Sequence, residues 1–310
     1  MNQTMDPQTL ADTDRLIRSA LAEDLGQSEI EVSLDCTTGA LVPPGTPGQA
    51  ALVARAEGIV CGLEVCQRVI QVAAVDVRLE AAAADGATVS PGQELGLLTG
   101  DAGAILVIER TCLNFLGRLS GIATLTREFV RRVEGTQAKI LDTRKTTPGW
   151  RRLEKFAVAC GGGTNHRMGL YDAVLIKDNH LALRGAIAEN RNKSLVEAID
   201  LARHWIRTNR AQLPHGLQTI VEVEVDRIDQ LIEVLTAKPD IVLLDNMSTS
   251  ELKECVQIRN RDHASVQLEA SGGVRLDTVA QIAQTGVERI SVGALTHSAV
   301  NFDIGLDWRF

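Results

Sequence analysis

Between Leu141 and Leu181 the chain reads LDTRKTTPGWRRLEKFAVACGGGTNHRMGLYDAVLIKDNHL. Arg144, Lys145, Arg151, Arg152, Lys155, His166, Arg167 and Lys177 gather there with few acids, although the whole chain carries a formal net charge of -8. A run of cations by itself more often marks a solvated face than a site. Three details argue for a site. The cations stand at the ends of strand-like runs, they are interleaved with Thr143, Thr146 and Thr147, and they flank Gly161-Gly162-Gly163. Guanidinium forks and the backbone N–H groups of such a turn can share the oxygens of a small, highly charged anion.

Two carboxylates extend the set. Glu224 and Asp245 close later apolar runs, where they could bind a divalent metal through a pyrophosphate or stabilise a cationic transition state. The plain alternative is that each pairs with a nearby Lys or Arg. Glu222 precedes Glu224 by two residues and shares its strand face, so the sequence does not choose between them. Lys177 is open in the same way. Buried, it could form a Schiff base; charged, it would bind a carboxylate or a phosphate. His166 follows the flexible GGGTN turn and is expected to contact substrate. Ser271-Gly272-Gly273 and Gly293 follow the last two strand-like runs. Backbone N–H groups and a following helix there could hold a phosphate. Cys160 is expected to be a small buried hydrophobe.

These residues need strands to present them. Apolar runs occur at KILDT (139–143), AVLIKD (173–178), TIVEVEV (219–225), IVLLDN (241–246), VQLEAS (266–271) and RISVGAL (289–295). Helical periodicity lies between the later ones, over Ile228–Leu235 and Leu276–Gln284. Such a repeat forms either an open doubly wound sheet or a β/α barrel. A barrel brings every polar strand end to one mouth, which favours it here. Upstream, Asp6–Asp24 reads as a helix stopped by Gly26, and Gly62–Val72 as another. Short strands surround the Asp85-Gly86 and Pro91-Gly92 turns. Ala102–Val133 is a long periodic helix that Gly117 and Gly121 are expected to interrupt or kink. Glu109, Arg110 and Asn114 share its polar side and, on spacing alone, read as solvated.

Composition narrows the class. At 310 residues and 45% apolar the chain can bury a large core, and 3% aromatic content with abundant Val, Ile, Leu and Ala suits buried parallel strands. An isoelectric point near 5.4 argues against a nucleic-acid partner. No apolar stretch spans a bilayer, and the first residues lack the layout of a signal peptide, so no membrane partner is expected. The six cysteines form no C-x-x-C pair, which points to reduced thiols in the cytoplasm.

ERTCLNFLGRLSGIAT (109–124), DTRKTTPGWRRLEKFAVACGGGTNHRMGLYD (142–172), LIKDNH (175–180), VEVEV (221–225), LLDN (243–246), EASGG (269–273) and ISVGALTHS (290–298) occur together and in order. With them, from Asp35 to the C-terminus, the chain resembles the quinolinate phosphoribosyltransferases, or nicotinate-nucleotide pyrophosphorylases (carboxylating). The resemblance implies an α/β fold with an N-terminal α/β sandwich domain over residues 1–113, joined by the C-terminal tail 298–310. An incomplete (open) β/α barrel over 114–297 would carry the active site. The implied reaction, in NAD biosynthesis, turns quinolinate and phosphoribosyl pyrophosphate into nicotinate mononucleotide, pyrophosphate and carbon dioxide with magnesium (Mg2+).

Carried over motif by motif, Lys145, Glu224 and Asp245 would be catalytic. Arg110, Thr143, Arg144, Lys145, His166, Arg167 and Lys177 would hold substrate carboxylates and phosphates, which disfavours the Schiff base. Glu224 and Asp245 would face the ribose and the metal pyrophosphate, directly or through water. Ser271, Gly272, Gly273 and Gly293 would take the 5′-phosphate. The family is at least dimeric, so a homodimer or higher homo-oligomer is implied, with Arg110 reaching the neighbouring active site. One departure stands out: residues 182–218 are longer than the family pattern. They are expected to form an enlarged crossover that includes a helix over Leu195–Thr208.

Overall fold

A computed structural model describes residues 4–27, 34–187, 194–209 and 220–310. Its first elements are α1 (Pro7–Leu25), α2 (Cys36–Leu41), β1 (Pro47–Ala54), β2 (Gly58–Ile59) and α3 (Leu63–Ala73). Then come β3 (Val77–Ala81), β4 (Thr88–Val89), β5 (Glu94–Asp101) and α4 (Ala102–Arg132). A strand–helix alternation follows: β6 (Lys139–Leu141), α5 (Arg151–Cys160), β7 (Val174–Ile176), α6 (Asp178–Ile187), α7 (Leu195–Asn209), β8 (Val221–Val225) and α8 (Ile228–Thr236). It continues through β9 (Ile241–Asp245), α9 (Thr249–Asp262), β10 (Gln267–Ser271), α10 (Val279–Ala283), β11 (Arg289–Ser291), α11 (Ala294–His297) and β12 (Ile304–Trp308).

Two units emerge by compactness. The first comprises Met1–Arg127, Lys145–Gly163 and Leu295–Phe310; the second comprises Glu128–Arg144 and Thr164–Ala294. This division falls elsewhere than the expected boundary at 113/114, and it assigns α5 to the first unit. Packing explains the assignment. Trp150, just before α5, stacks on Phe115 of α4 with ring centroids 4.8 Å apart. Gly161, just after it, lies where a Cβ would be 2.6 Å from Thr126 Cβ of α4.

In the first unit four antiparallel strands form a sheet in the order β12-β1-β5-β3. Ala50–Ala54 of β1 are buried without alternation, as befits an inner strand with both faces covered. α1 starts where the Asp6 carboxylate accepts the Gln8 and Thr9 N–H groups, each at 2.9 Å, and it stops at Gly26 with φ 72°. Its buried positions Thr9, Thr13, Ile17 and Leu21 fall every four residues, one stripe of the helix. α4 runs unbroken through Gly117 and Gly121, so the expected interruption is absent. These glycines instead admit the C-terminal backbone: the Phe302 N–H donates to the Gly117 carbonyl at 2.8 Å, and a Cβ on Gly121 would collide with the Val300 carbonyl oxygen.

Six parallel strands form the sheet of the second unit, in the order β6-β11-β10-β9-β8-β7. Each run read from the sequence contains a strand, trimmed at one or both ends; RISVGAL loses most, because only Arg289–Ser291 pair and Ala294 and Leu295 belong to α11. Among the described residues β6 and β7 are edges rather than partners, so this is an open β/α barrel. Val221, Val223, Val242, Leu244, Leu268 and Ala270 are buried in its middle strands. α9 begins with a capping box: the Ser248 N–H donates to Glu251 Oε2 at 2.8 Å, and the Glu251 N–H returns to Ser248 Oγ at 3.3 Å. In the long segment 182–218, α7 buries Leu195, Ile199 and Ile206, and its Arg203 donates to the Ala237 carbonyl at 2.7 Å. Residues 188–193 and 210–218 of that stretch, and Thr219 of the TIVEVEV run, lie outside the described residues. No described helix is long and apolar enough to cross a membrane.

Candidate active site

Parallel strands put all their C-terminal ends on one edge, and the residues singled out in the sequence stand along it. Thr143 and Arg144 follow β6, Lys177 follows β7, Glu224 lies in β8, Asp245 ends β9, Ser271 ends β10 and Gly293 follows β11. The free edge of β6 is extended by the chain around Thr164, whose N–H donates to the Ile140 carbonyl at 2.8 Å. That pairing delivers His166 and Arg167 to the same end of the sheet.

Cations come first. Burial, then the charge of neighbouring Arg144, lowers the Arg167 pKa from its usual value. Arg167 Nη1 donates to the Ala173 carbonyl at 3.0 Å, and Arg144 Nε is buried with no hydrogen-bond partner among the described residues. Two guanidiniums at one end of the sheet suit an anion. Lys177 Nζ pairs with Glu224, whose side chain is 14% exposed against 42% for the lysine. Glu224 therefore stands at the rim, whereas Glu222 is buried. That difference in depth separates the two acids that periodicity left equivalent.

Beneath them lies a cluster that the sequence did not announce. His166 Nε2 is 3.3 Å from Glu222 Oε2 and 3.3 Å from Glu269 Oε1, and both acids are buried. Glu269 also pairs with Arg289 Nε at 2.6 Å. The His166 N–H donates to the buried Asp142 carboxylate at 2.8 Å, and His166 Nδ1 accepts the Arg167 N–H at 2.8 Å. Burial pushes the His166 pKa down, but the two carboxylates outweigh it and raise it to about 9. Burial and the charge of Glu269 raise Glu222. For Glu269 burial also acts upward, yet His166 and Arg289 together hold it low. Geometry opposes the rise at His166: both acids face Nε2, and the Arg167 N–H points at Nδ1, which can accept it only while it carries no hydrogen. The signal for Glu269 was a charged residue in the middle of the VQLEAS strand; nothing local indicated its partner.

Two strand-end loops interlock beside this set. The Asn246 N–H donates to the Ser271 carbonyl at 2.9 Å, and Asn246 Nδ2 donates to Asp245 Oδ2 at 2.7 Å. Asn246 itself has φ 55°, Gly272 has φ 91° and Gly273 has φ 59°. A Cβ on Gly272 would strike the Asn246 side chain and lie 2.9 Å from its backbone N, whereas one on Gly273 would meet nothing within 4 Å. Gly272→Ala is expected to destabilise the second unit by about 1–3 kcal/mol through left-handed strain and this collision. Gly273→Ala, without the collision, should cost less. Paired denaturation curves would check the ranking.

Helix N-termini do not support the late glycines as expected. After Ser271-Gly272-Gly273 the next helix starts only at Val279, and α11 has four residues. Any anion there relies on loop N–H groups. The Gly161-Gly162-Gly163 turn is likewise not a cradle: its N–H groups go to the Ala157, Ala159 and Val158 carbonyls at 3.0 Å each, closing α5. Arg110 and Lys145 belong to the first unit. Arg110 is exposed on α4; Lys145 is exposed, and its carbonyl accepts Thr296 Oγ1 at 2.7 Å. Cys160 is buried.

An open six-stranded β/α barrel with two guanidiniums, an ammonium and carboxylates at its strand ends defines a protein for anionic ligands, of the class in which barrel enzymes keep their chemistry. The quinolinate phosphoribosyl transferase N-terminal domain matches residues 35–120, and the C-terminal domain of the same family matches 122–307. A nicotinate-nucleotide pyrophosphorylase [carboxylating] of Mycobacterium leprae is 43% identical over 293 residues, covering 94% of this chain and 95% of that one. A quinolinate phosphoribosyltransferase [decarboxylating] of Nicotiana glauca is 37% identical, covering 94% of this chain and 81% of its own. The solved nicotinate-nucleotide pyrophosphorylase of Francisella tularensis superposes with a TM-score of 0.83 at 34% identity, covering 99% of this chain and 98% of its own. The chain belongs to the quinolinate phosphoribosyltransferase family.

Proposed function

We propose that the protein converts quinolinate and phosphoribosyl pyrophosphate to nicotinate mononucleotide, pyrophosphate and carbon dioxide, a step of NAD biosynthesis, as a cytoplasmic homo-oligomer. The observation that carries this reading is Arg144 and Arg167 at the strand ends, within a chain 43% identical to the Mycobacterium leprae protein across 94% of its length. Both substrates are polyanions, and fixed cations in a locally basic site of an acidic protein concentrate them. Thr143, Arg144, Lys145, Arg167 and Lys177 hold carboxylates and phosphates; His166, expected there too, has both ring nitrogens engaged within the protein; Arg110 acts for the neighbouring subunit, and Ser271, Gly272, Gly273 and Gly293 take the 5′-phosphate.

Departure of pyrophosphate leaves positive charge on the ribose, which Glu224 at the rim stabilises. Attack by the ring nitrogen makes the pyridine cationic. The cationic ring stabilises the electron pair left on C2 when the 2-carboxylate departs as carbon dioxide, and C2 then takes a proton from water, so no cofactor is needed to hold those electrons. Asp245 and Glu224 offer carboxylate oxygens, the donor type magnesium takes alongside substrate phosphates. Glu224 is already paired with Lys177, and Asp245 accepts from Asn246, a donor set that fits an ion held mainly through pyrophosphate or water. Bound there, magnesium would neutralise leaving-group charge.

Incubation with quinolinate, phosphoribosyl pyrophosphate and magnesium should yield nicotinate mononucleotide and carbon dioxide in equal amounts. Nicotinate in place of quinolinate should yield neither, and Lys145→Ala should abolish both. Binding of both substrates with no product would overturn the assignment.

A further inference from the structure

We propose that Glu222 and Glu269 are positioning residues: acting through His166, they hold Arg167 at the strand ends for the substrate dicarboxylate. This rests on the reaction proposed above for the identity of that substrate, and on the geometry alone for the rest. β8 and β10 are alternate strands of the sheet, and in a barrel the inward side chains of alternate strands meet in one layer. Here that layer closes on a single imidazole, with both carboxylates 3.3 Å from Nε2. Two buried acids are costly, and a well-packed apolar pair would serve stability at least as well. What apolar residues could not do is fix the ring. The acids face Nε2, so the ring hydrogen stays there and Nδ1 keeps a lone pair for the Arg167 N–H at 2.8 Å.

The consequence reaches the anion site. Consecutive N–H groups at 166 and 167 are held by the Asp142 carboxylate and by the His166 ring. The short stretch bearing Arg167 is thereby pinned at both residues, and its guanidinium is tied to the Ala173 carbonyl at 3.0 Å. Pinning keeps Arg167 in place before any anion arrives, which is where preorganisation acts on binding. Arg289 completes the device by holding Glu269 from the far side at 2.6 Å.

The test compares Glu222→Leu, which removes the acceptor at similar volume, with Glu222→Gln, which keeps an oxygen for Nε2. Glu222→Leu should raise KM for quinolinate by about tenfold or more, as misplacement of a binding group does, with KM for phosphoribosyl pyrophosphate within about twofold. Glu222→Gln should restore most of it. Ring 15N shifts of His166, assigned by the signal lost in His166→Asn, should show the Nε2–H form in the wild type and a larger share of Nδ1–H in Glu222→Leu, where Glu269 alone faces Nε2. Several outcomes would overturn the proposal: both KM values rising together, a loss accounted for by a smaller folded fraction, or a wild-type ring carrying a hydrogen on Nδ1. Zinc bound stoichiometrically to the wild type and lost from Glu222→Leu would also overturn it, because the three side chains would then be metal ligands. A wild type without turnover fails the reaction, and the 15N comparison still judges the positioning.

Discussion

Glu224→Gln is expected to lower turnover by about 10²–10³-fold, the loss seen when one group aimed at developing transition-state charge is removed. The argument starts from position. Glu224 stands at the rim of β8, its side chain 14% exposed and paired with Lys177. A carboxamide of the same shape keeps the packing and removes the charge. Only charge that grows in the transition state gains more from a carboxylate than the ground state does, so kcat carries the loss. KM should move the other way or not at all. With Glu224 neutral, Lys177 is released and the mouth becomes more positive toward two polyanions. Stability should change by no more than about 1 kcal/mol, because the pair is partly exposed and screened. Steady-state kinetics with each substrate varied in turn would check this. A raised KM at unchanged kcat would assign Glu224 to ground-state binding instead.

Arg118→Met carries the largest expected effect on stability, about 3–5 kcal/mol, the cost of breaking a buried ion pair from one side. Arg118 of α4 donates to the fully buried Glu154 of α5 through Nε at 3.2 Å and Nη2 at 2.6 Å. It also reaches the Ala299 carbonyl at 3.2 Å and the Thr296 carbonyl, so one side chain joins α4, α5 and the C-terminal segment. Met fills similar space but leaves the carboxylate with only the Thr147 N–H at 3.1 Å and hydroxyl at 2.9 Å. The double variant Arg118→Met/Glu154→Met should recover part of the loss, because no buried charge is then stranded. Denaturant midpoints of the wild type, both single variants and the double variant close the cycle. Equal stability of Arg118→Met and the double variant would show that the stranded carboxylate is not the cause.

The strands of the second unit were legible because parallel strands covered on both faces read as continuous Val, Ile and Leu. Their ends were overrun. Thr143, Lys177, Asp178 and Asn246 read as strand residues because they follow the apolar run directly, but pairing stops before them. The glycines misled in a consistent way. Gly117 and Gly121 looked like breaks and are points of close backbone approach; Gly161-Gly162-Gly163 looked like an anion cradle and is a helix terminus. In each case the missing information was the neighbour, not the residue. The alternatives left open at Glu222 and Glu224 have the same origin. A period of two puts both on one face, and only depth in the sheet separates a rim acid on Lys177 from a buried acid on His166.

By itself the sequence determined the order of the strands in the second unit, the open α/β architecture through its motifs, and the residues gathered at the strand ends. Those depend on short-range periodicity and on which residues follow each apolar run. Tertiary structure alone decided which charges meet. Lys177 and Glu224 stand 47 residues apart and touch because β7 and β8 pair in register. His166 meets Glu222 and Glu269 because the chain around Thr164 joins the free edge of β6 while β8 and β10 supply one layer of the barrel. Strand registry sets those contacts, and registry is fixed by burial across the whole sheet rather than by any local run of residues.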